Sequence, residues 1–68
     1  MMTLTGRQKQ VMEGLARGES RKEIAAALGI SPATASVYVR DARHKFHIGT
    51  TAALLVTLTQ LGLIGVKG

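Results

Sequence analysis

Residues 20–34 read SRKEIAAALGISPAT, and this stretch decides the fold. Ser20 followed three residues later by Glu23 is a capping-box pattern, in which each side chain satisfies a backbone N–H that a first helical turn leaves unpaired. Ile24, Ala25, Ala27 and Leu28 form an apolar stripe at helical spacing, and Gly29 suits a left-handed stop. The pattern predicts a helix over about 21–28. Ser31 and Pro32 then open another, because Ser is a strong N-cap and Pro lacks only an N–H that the first helical position does not need. Only Ile30 separates the Gly stop from the Ser start. Two helices joined by so tight a turn, with a glycine in it, are the helix-turn-helix signature.

Working outward, Thr5 with Gln8 repeats the capping box and opens a first helix over about 5–17, with Val11, Met12, Leu15 and Ala16 on its apolar face. Leu4 is placed to staple back onto its first turn, and Gly18 to close its end. The helix begun at Ser31-Pro32 is long, over about 32–46. At 100° per residue, Ala35, Val39, Ala42 and Phe46 fall on one face, flanked by Tyr38. Ala33, Val37, Arg40 and His44 fall on the other, bordered by Ser36 and Arg43 on one edge and by Asp41 and Lys45 on the other. Gly49-Thr50-Thr51 reads as a break and a cap, with a fourth helix over about 51–61. Leu54, Leu58 and Leu61 share its expected inner face. Ala52, Val56 and Thr59 project elsewhere, with Leu55 between. The expectation is an all-α, four-helix, helix-turn-helix domain spanning 1–68, with no wing, whose residues 65–68 fray.

Composition narrows the role. A chain of 68 residues buries only about 60% of its unfolded surface, so an isolated fold of this size is marginal. With no Cys there is no disulfide or Cys-based zinc site, and association with a partner chain is the aid expected. Nine Lys/Arg against four Asp/Glu give a formal net charge of +5, which suits a polyanionic partner. One Tyr, one Phe and no Trp provide no platform for stacking single-stranded bases, so duplex DNA is the better fit. No signal-peptide pattern opens the sequence. Residues 46–66 hold no formal charge and approach the length of a spanning helix, but four Thr, a Gln and three Gly argue against a membrane segment.

The stretch LTGRQKQVMEGLARGESRKEIAAALGISPATASVYVRDARHKFHI, about residues 4–48, resembles the LuxR-type (GerE-like) helix-turn-helix domain of bacterial regulators. That family reads approximately LTxRExEVLxLxAxGxSNKEIAxxLxISxxTVKxHxxxIxxKL, followed by a fourth helix. The resemblance implies a transcriptional regulator that binds DNA, and Thr34 and Lys45 fall on matching family positions. Four departures stand out: Ser36 replaces Lys, Tyr38 replaces His, Gln8 replaces Glu and Arg21 replaces Asn. No sensor segment is recognised ahead of the motif, so the output module alone is expected.

Helix geometry and the resemblance together assign base contacts to Ser36, Val37 and Arg40, with Arg40 the candidate for a bidentate bond to guanine. Backbone contacts are assigned to Ser20, Arg21, Lys22, Thr34, Tyr38, Arg43, His44 and Lys45. The plainer reading of Arg40, Arg43 and Lys45 is a solvated face. A dimer interface is assigned to Ala52, Leu55, Val56 and Thr59, with Leu55 and Val56 equally open to a core role. His44 and His47 lie three apart without a third ligand at suitable spacing, so no metal or other cofactor is expected. No nucleophile–base–orienter set, phosphate loop or paired carboxylates point to an enzyme. The expected partners are double-stranded DNA and a second copy, in the cytoplasm on the nucleoid. The alternative is an adapter that docks on RNA polymerase or another regulator through the fourth helix.

Overall fold

Thr5, Ser20, Ser31 and Thr50 each stand in extended backbone and accept a hydrogen bond from the third residue beyond, and each starts a helix. The computed structural model, which describes residues 3–65, accordingly contains α1 (Gly6–Ala16), α2 (Arg21–Leu28), α3 (Pro32–Lys45) and α4 (Thr51–Gln60). No strand occurs among the described residues, and the architecture is an all-α helix-turn-helix fold. The two capping boxes are complete. Gln8 N–H donates to Thr5 Oγ1 at 3.2 Å and Thr5 N–H to Gln8 Oε1 at 3.0 Å. Glu23 N–H donates to Ser20 Oγ at 3.1 Å and Ser20 N–H to Glu23 Oε1 at 2.9 Å.

All four helices end in the same reverse turn. Glu19, Ile30, Ile48 and Leu63 donate their N–H groups back to Gly14, Ala25, Arg43 and Leu58, at 3.1, 3.0, 2.9 and 3.0 Å. The residue before each donor takes a left-handed conformation, and three of these are glycines. The fourth is His47, at φ 56°. The break after α3 therefore turns on His47 rather than on Gly49, since the turn must close on the carbonyls of Arg43 and His44.

The core is drawn from every helix: Val11 and Met12 from α1, Ile24 from α2, Val39 and Ala42 from α3, and Leu54 and Leu58 from α4, with Phe46 and Ile64 closing it. Leu4 packs against its edge, as a staple should. At Gly14 the approach of α2 is so close that a Cβ would lie 2.7 Å from Ile24 Cγ1. The structure corrects the position of Leu61, which is 58% exposed rather than in the core. Helix α4 stops at Gln60, and the left-handed turn at Gly62 sends Leu63 and Ile64 inward in its place.

Helix α3 packs against each of the other three helices, whereas α2 and α4 make no close approach to each other. Helix α1 likewise packs against all of the others, so α1 and α3 together form the centre, with α2 and α4 each packed against both. The uncharged stretch 46–66 is interrupted by the turns at His47 and Gly62, and no helix among the described residues is long and apolar enough to cross a membrane. Val66 and most of the segment expected to fray lie outside the described residues.

A left-handed L-residue costs roughly 1–2 kcal/mol, partly offset by the chain entropy that glycine would lose. His47→Gly should therefore stabilise the fold by about 0.5–1 kcal/mol in urea denaturation. His47→Val, with a branched Cβ, should destabilise it by at least about 1 kcal/mol.

Candidate nucleic-acid interface

Helix α3 has two faces of opposite character. Ala35, Val39 and Ala42 are buried, whereas Ala33, Ser36, Val37, Arg40, Asp41 and His44 are exposed. The outer face is thus small at its start and charged at its end. Val37 is 39% exposed, an apolar group held in solvent between Ser36 and Arg40. Ser31 caps the helix, with its Oγ accepting from Thr34 N–H at 3.0 Å and lying 2.9 Å from Thr34 Oγ1.

The side chains assigned to a phosphate backbone fall into three groups. Ser20, Arg21, Lys22 and His44 are exposed. The Ser20 hydroxyl is already held by the N-cap of α2. Thr34 and Tyr38 are half-buried, and the Tyr38 ring packs against the core. Arg43 and Lys45 are half-buried and engaged within the chain. Arg43 Nη1 donates to Gly49 O at 3.0 Å, bracing the turn that leaves α3. Lys45 Nζ donates to Thr3 O at 2.9 Å and to Gln8 Oε1 at 3.2 Å, tying the last turn of α3 to the cap of α1. Gln8 is the one buried polar side chain among the described residues, and this bond and the capping box satisfy its carbonyl oxygen. At the start of α2, the Ser20 backbone N–H, then its hydroxyl, hold the Glu23 carboxyl below its usual range.

A second surface lies across α1 and α4. Ala52, Val56 and Thr59 are exposed, with Val56 at 57%, and the Thr59 hydroxyl is turned onto Leu55 O at 2.8 Å. Leu55 is half-buried and packs on the core, which gives it the core role of the two left open for it. Leu55, Val56 and Thr59, with Gln60 and with Leu15 and Ala16 of α1, line an open, mostly apolar groove of about 340 Å³, and Ala52 lies outside it. Sequence reasoning found the α4 wall of this groove but not the α1 wall. Leu15 and Ala16 belong to the first helix's apolar stripe, whose edge is only half-buried. The inward use of Lys45 was also missed, since it depends on a partner far away in sequence. Among the described residues no three His, Cys, Asp or Glu side chains gather as a metal site.

Residues 2–58 match the family described as "Bacterial regulatory proteins, luxR family". The chain belongs to this family. It is a LuxR-type helix-turn-helix DNA-binding domain, of a regulator rather than an enzyme class. The solved structure of the transcription factor GerE superimposes with a TM-score of 0.93, at 25% identity, over 98% of this chain and 100% of that one. The transcriptional regulatory protein MctR of Rhizobium johnstonii is 35% identical over 65 residues, which are 96% of this chain and 30% of MctR. The transcriptional regulatory protein UhpA of Escherichia coli is 43% identical over 51 residues, 75% of this chain and 26% of UhpA. The LuxR-type chain described here thus spans less than a third of either relative's length.

Two expectations follow for this LuxR-type domain. Lys45→Met should lower stability by about 1 kcal/mol, since two charge-assisted bonds are lost from a half-exposed position. An unchanged denaturation midpoint would mean that Thr3 and Gln8 do not hold the ammonium. The Glu23 carboxyl, depressed in the folded chain, contributes stability that is present above its unfolded pKa. That contribution disappears as pH falls through the folded value. Thermal melts between about pH 6 and pH 3 should therefore lose an acid-dependent component in Glu23→Gln, because the amide completes the box without titrating, as Gln8 does in α1.

Proposed function

We propose that this LuxR-type domain is a sequence-specific regulator of transcription that lays α3 in the major groove of double-stranded DNA. The observation that carries this reading is the uncovered outer face of α3, where Ser36, Val37 and Arg40 stand exposed on a helix whose inner face is core. The major groove admits one helix and displays a distinct donor, acceptor and methyl pattern for each base pair. Arg40 makes the bidentate contact to guanine O6 and N7, Val37 packs on a thymine methyl, and Ser36 bonds to either kind of base. Ser20, Arg21 and Lys22, with the open N–H groups of the first turn of α2, grip phosphate. Thr34, Tyr38, Arg43 and His44 extend that grip along α3. Lys45 adds a fixed positive charge beside it, positioned by its bonds to Thr3 and Gln8.

Two copies pair through Ala52, Leu55, Val56 and Thr59, so that two α3 helices face half-sites about one DNA turn apart. Pairing doubles the phosphate contacts of a module with few base contacts. The groove between α1 and α4 also supports a second reading, in which this surface receives RNA polymerase or another regulator and DNA binding is secondary.

Affinity selection from random duplex DNA, followed by salt titration on the selected sequence, tests the proposal. A roughly two-fold symmetric motif with affinity falling steeply in salt is expected. Arg40→Ala should then cost about 1–3 kcal/mol and relax one base position. Equal loss on all sequences would make Arg40 a phosphate contact instead. Partner binding that survives Arg40→Ala but is abolished by Val56→Asp would favour the second reading.

A further inference from the structure

Helix α3 carries a single acidic side chain, Asp41, and it lies on the outer face beside Arg40 and one turn from Val37. A carboxylate on a surface that meets a polyanion is repelled by it unless something close compensates its charge. Arg40 is that compensation: its Nη2 lies 3.5 Å from Asp41 Oδ1, with the two side chains 55% and 48% exposed. Consecutive helical residues do not face one another, so this ion pair requires the arginine stem to bend sideways along the helix surface. In water such a pair adds little to stability. Its effect is on where the guanidinium lies, and it grows when water is excluded.

A guanidinium has five N–H donors in a rigid fork. The carboxylate draws the Nη2 side of that fork toward itself by charge, without a hydrogen bond, and so biases the plane in which the donors meet the two acceptors of a guanine edge. Released from that plane, the long arginine side chain reaches phosphate as easily as base. We infer that Asp41 is a specificity-determining positioning residue, which holds Arg40 toward guanine and penalises duplexes on which Arg40 turns to phosphate. The penalty arises because the departing arginine leaves the carboxylate facing the DNA without a cation. This inference rests on the DNA-reading role proposed above.

The test is a double-substitution cycle on Arg40 and Asp41. Affinities of the unsubstituted protein, Asp41→Ala, Arg40→Ala and the double variant are measured for the selected duplex and for a scrambled one at fixed salt. Asp41 is exposed, and circular dichroism checks that each variant is folded. Asp41→Ala should bind the scrambled duplex about five- to tenfold tighter while the selected duplex changes little, so discrimination falls by the same factor. Asp41→Asn, which retains the acceptor without the charge, should fall between. In the Arg40→Ala background, Asp41→Ala should tighten both duplexes alike and leave discrimination unchanged. Discrimination that Asp41→Ala does not alter, or that falls equally with and without Arg40, would overturn the inference. An unsubstituted protein that prefers no duplex would refute the DNA-reading role itself, and that failure is separate because it appears before any substitution.

Discussion

The buried face of α3 is the constraint on which the rest of the molecule depends. Ala35 and Ala42 are fully enclosed beside Val39, and their small size lets α1, α2 and α4 all approach the same helix. A larger residue at either alanine would have to displace a neighbouring helix, because a close-packed interior has no spare volume. In return, this packing holds the opposite face of α3 in a defined attitude, and Ser36, Val37 and Arg40 inherit their positions from it. The tight approach of α2 at Gly14 and the Lys45 bonds to Thr3 and Gln8 reinforce the same frame from the α1 side.

The family match gives this frame a context. A TM-score of 0.93 at only 25% identity to GerE means that the frame tolerates extensive replacement of its side chains. What persists is the course of the backbone through its four helices. The outer face of α3 takes no part in the core of this chain, and the Arg40–Asp41 pair lies there.

Much of this was legible in the sequence because the decisive signals are local. Thr5/Gln8, Ser20/Glu23 and Ser31-Pro32 each declare a helix start within four residues, and each start is where those residues indicate. The two faces of α3 follow from periodicity alone. The signals that stayed hidden are non-local or run against residue preference. Leu61 looked like the next core leucine of α4, but a reverse turn replaces it with Ile64. His47 occupies a left-handed position for which a glycine two residues later seemed better suited. Lys45 looked like a cation for phosphate, and only the fold brings Thr3 and Gln8 to it. The reach of Asp41 to Arg40 was equally invisible, since neighbouring helical residues ordinarily diverge.

The separation of α2 from α4 has an evolutionary consequence. Because the two helices share no close approach, a change near the start of α2 and a change on the outer side of α4 can influence each other only through α1 and α3, against which both helices pack. Substitutions at exposed positions that leave α1 and α3 undisturbed can accumulate on the two surfaces in either order, without one needing the other as a permissive background. A lineage built on this fold can thus alter these two surfaces as separate heritable traits.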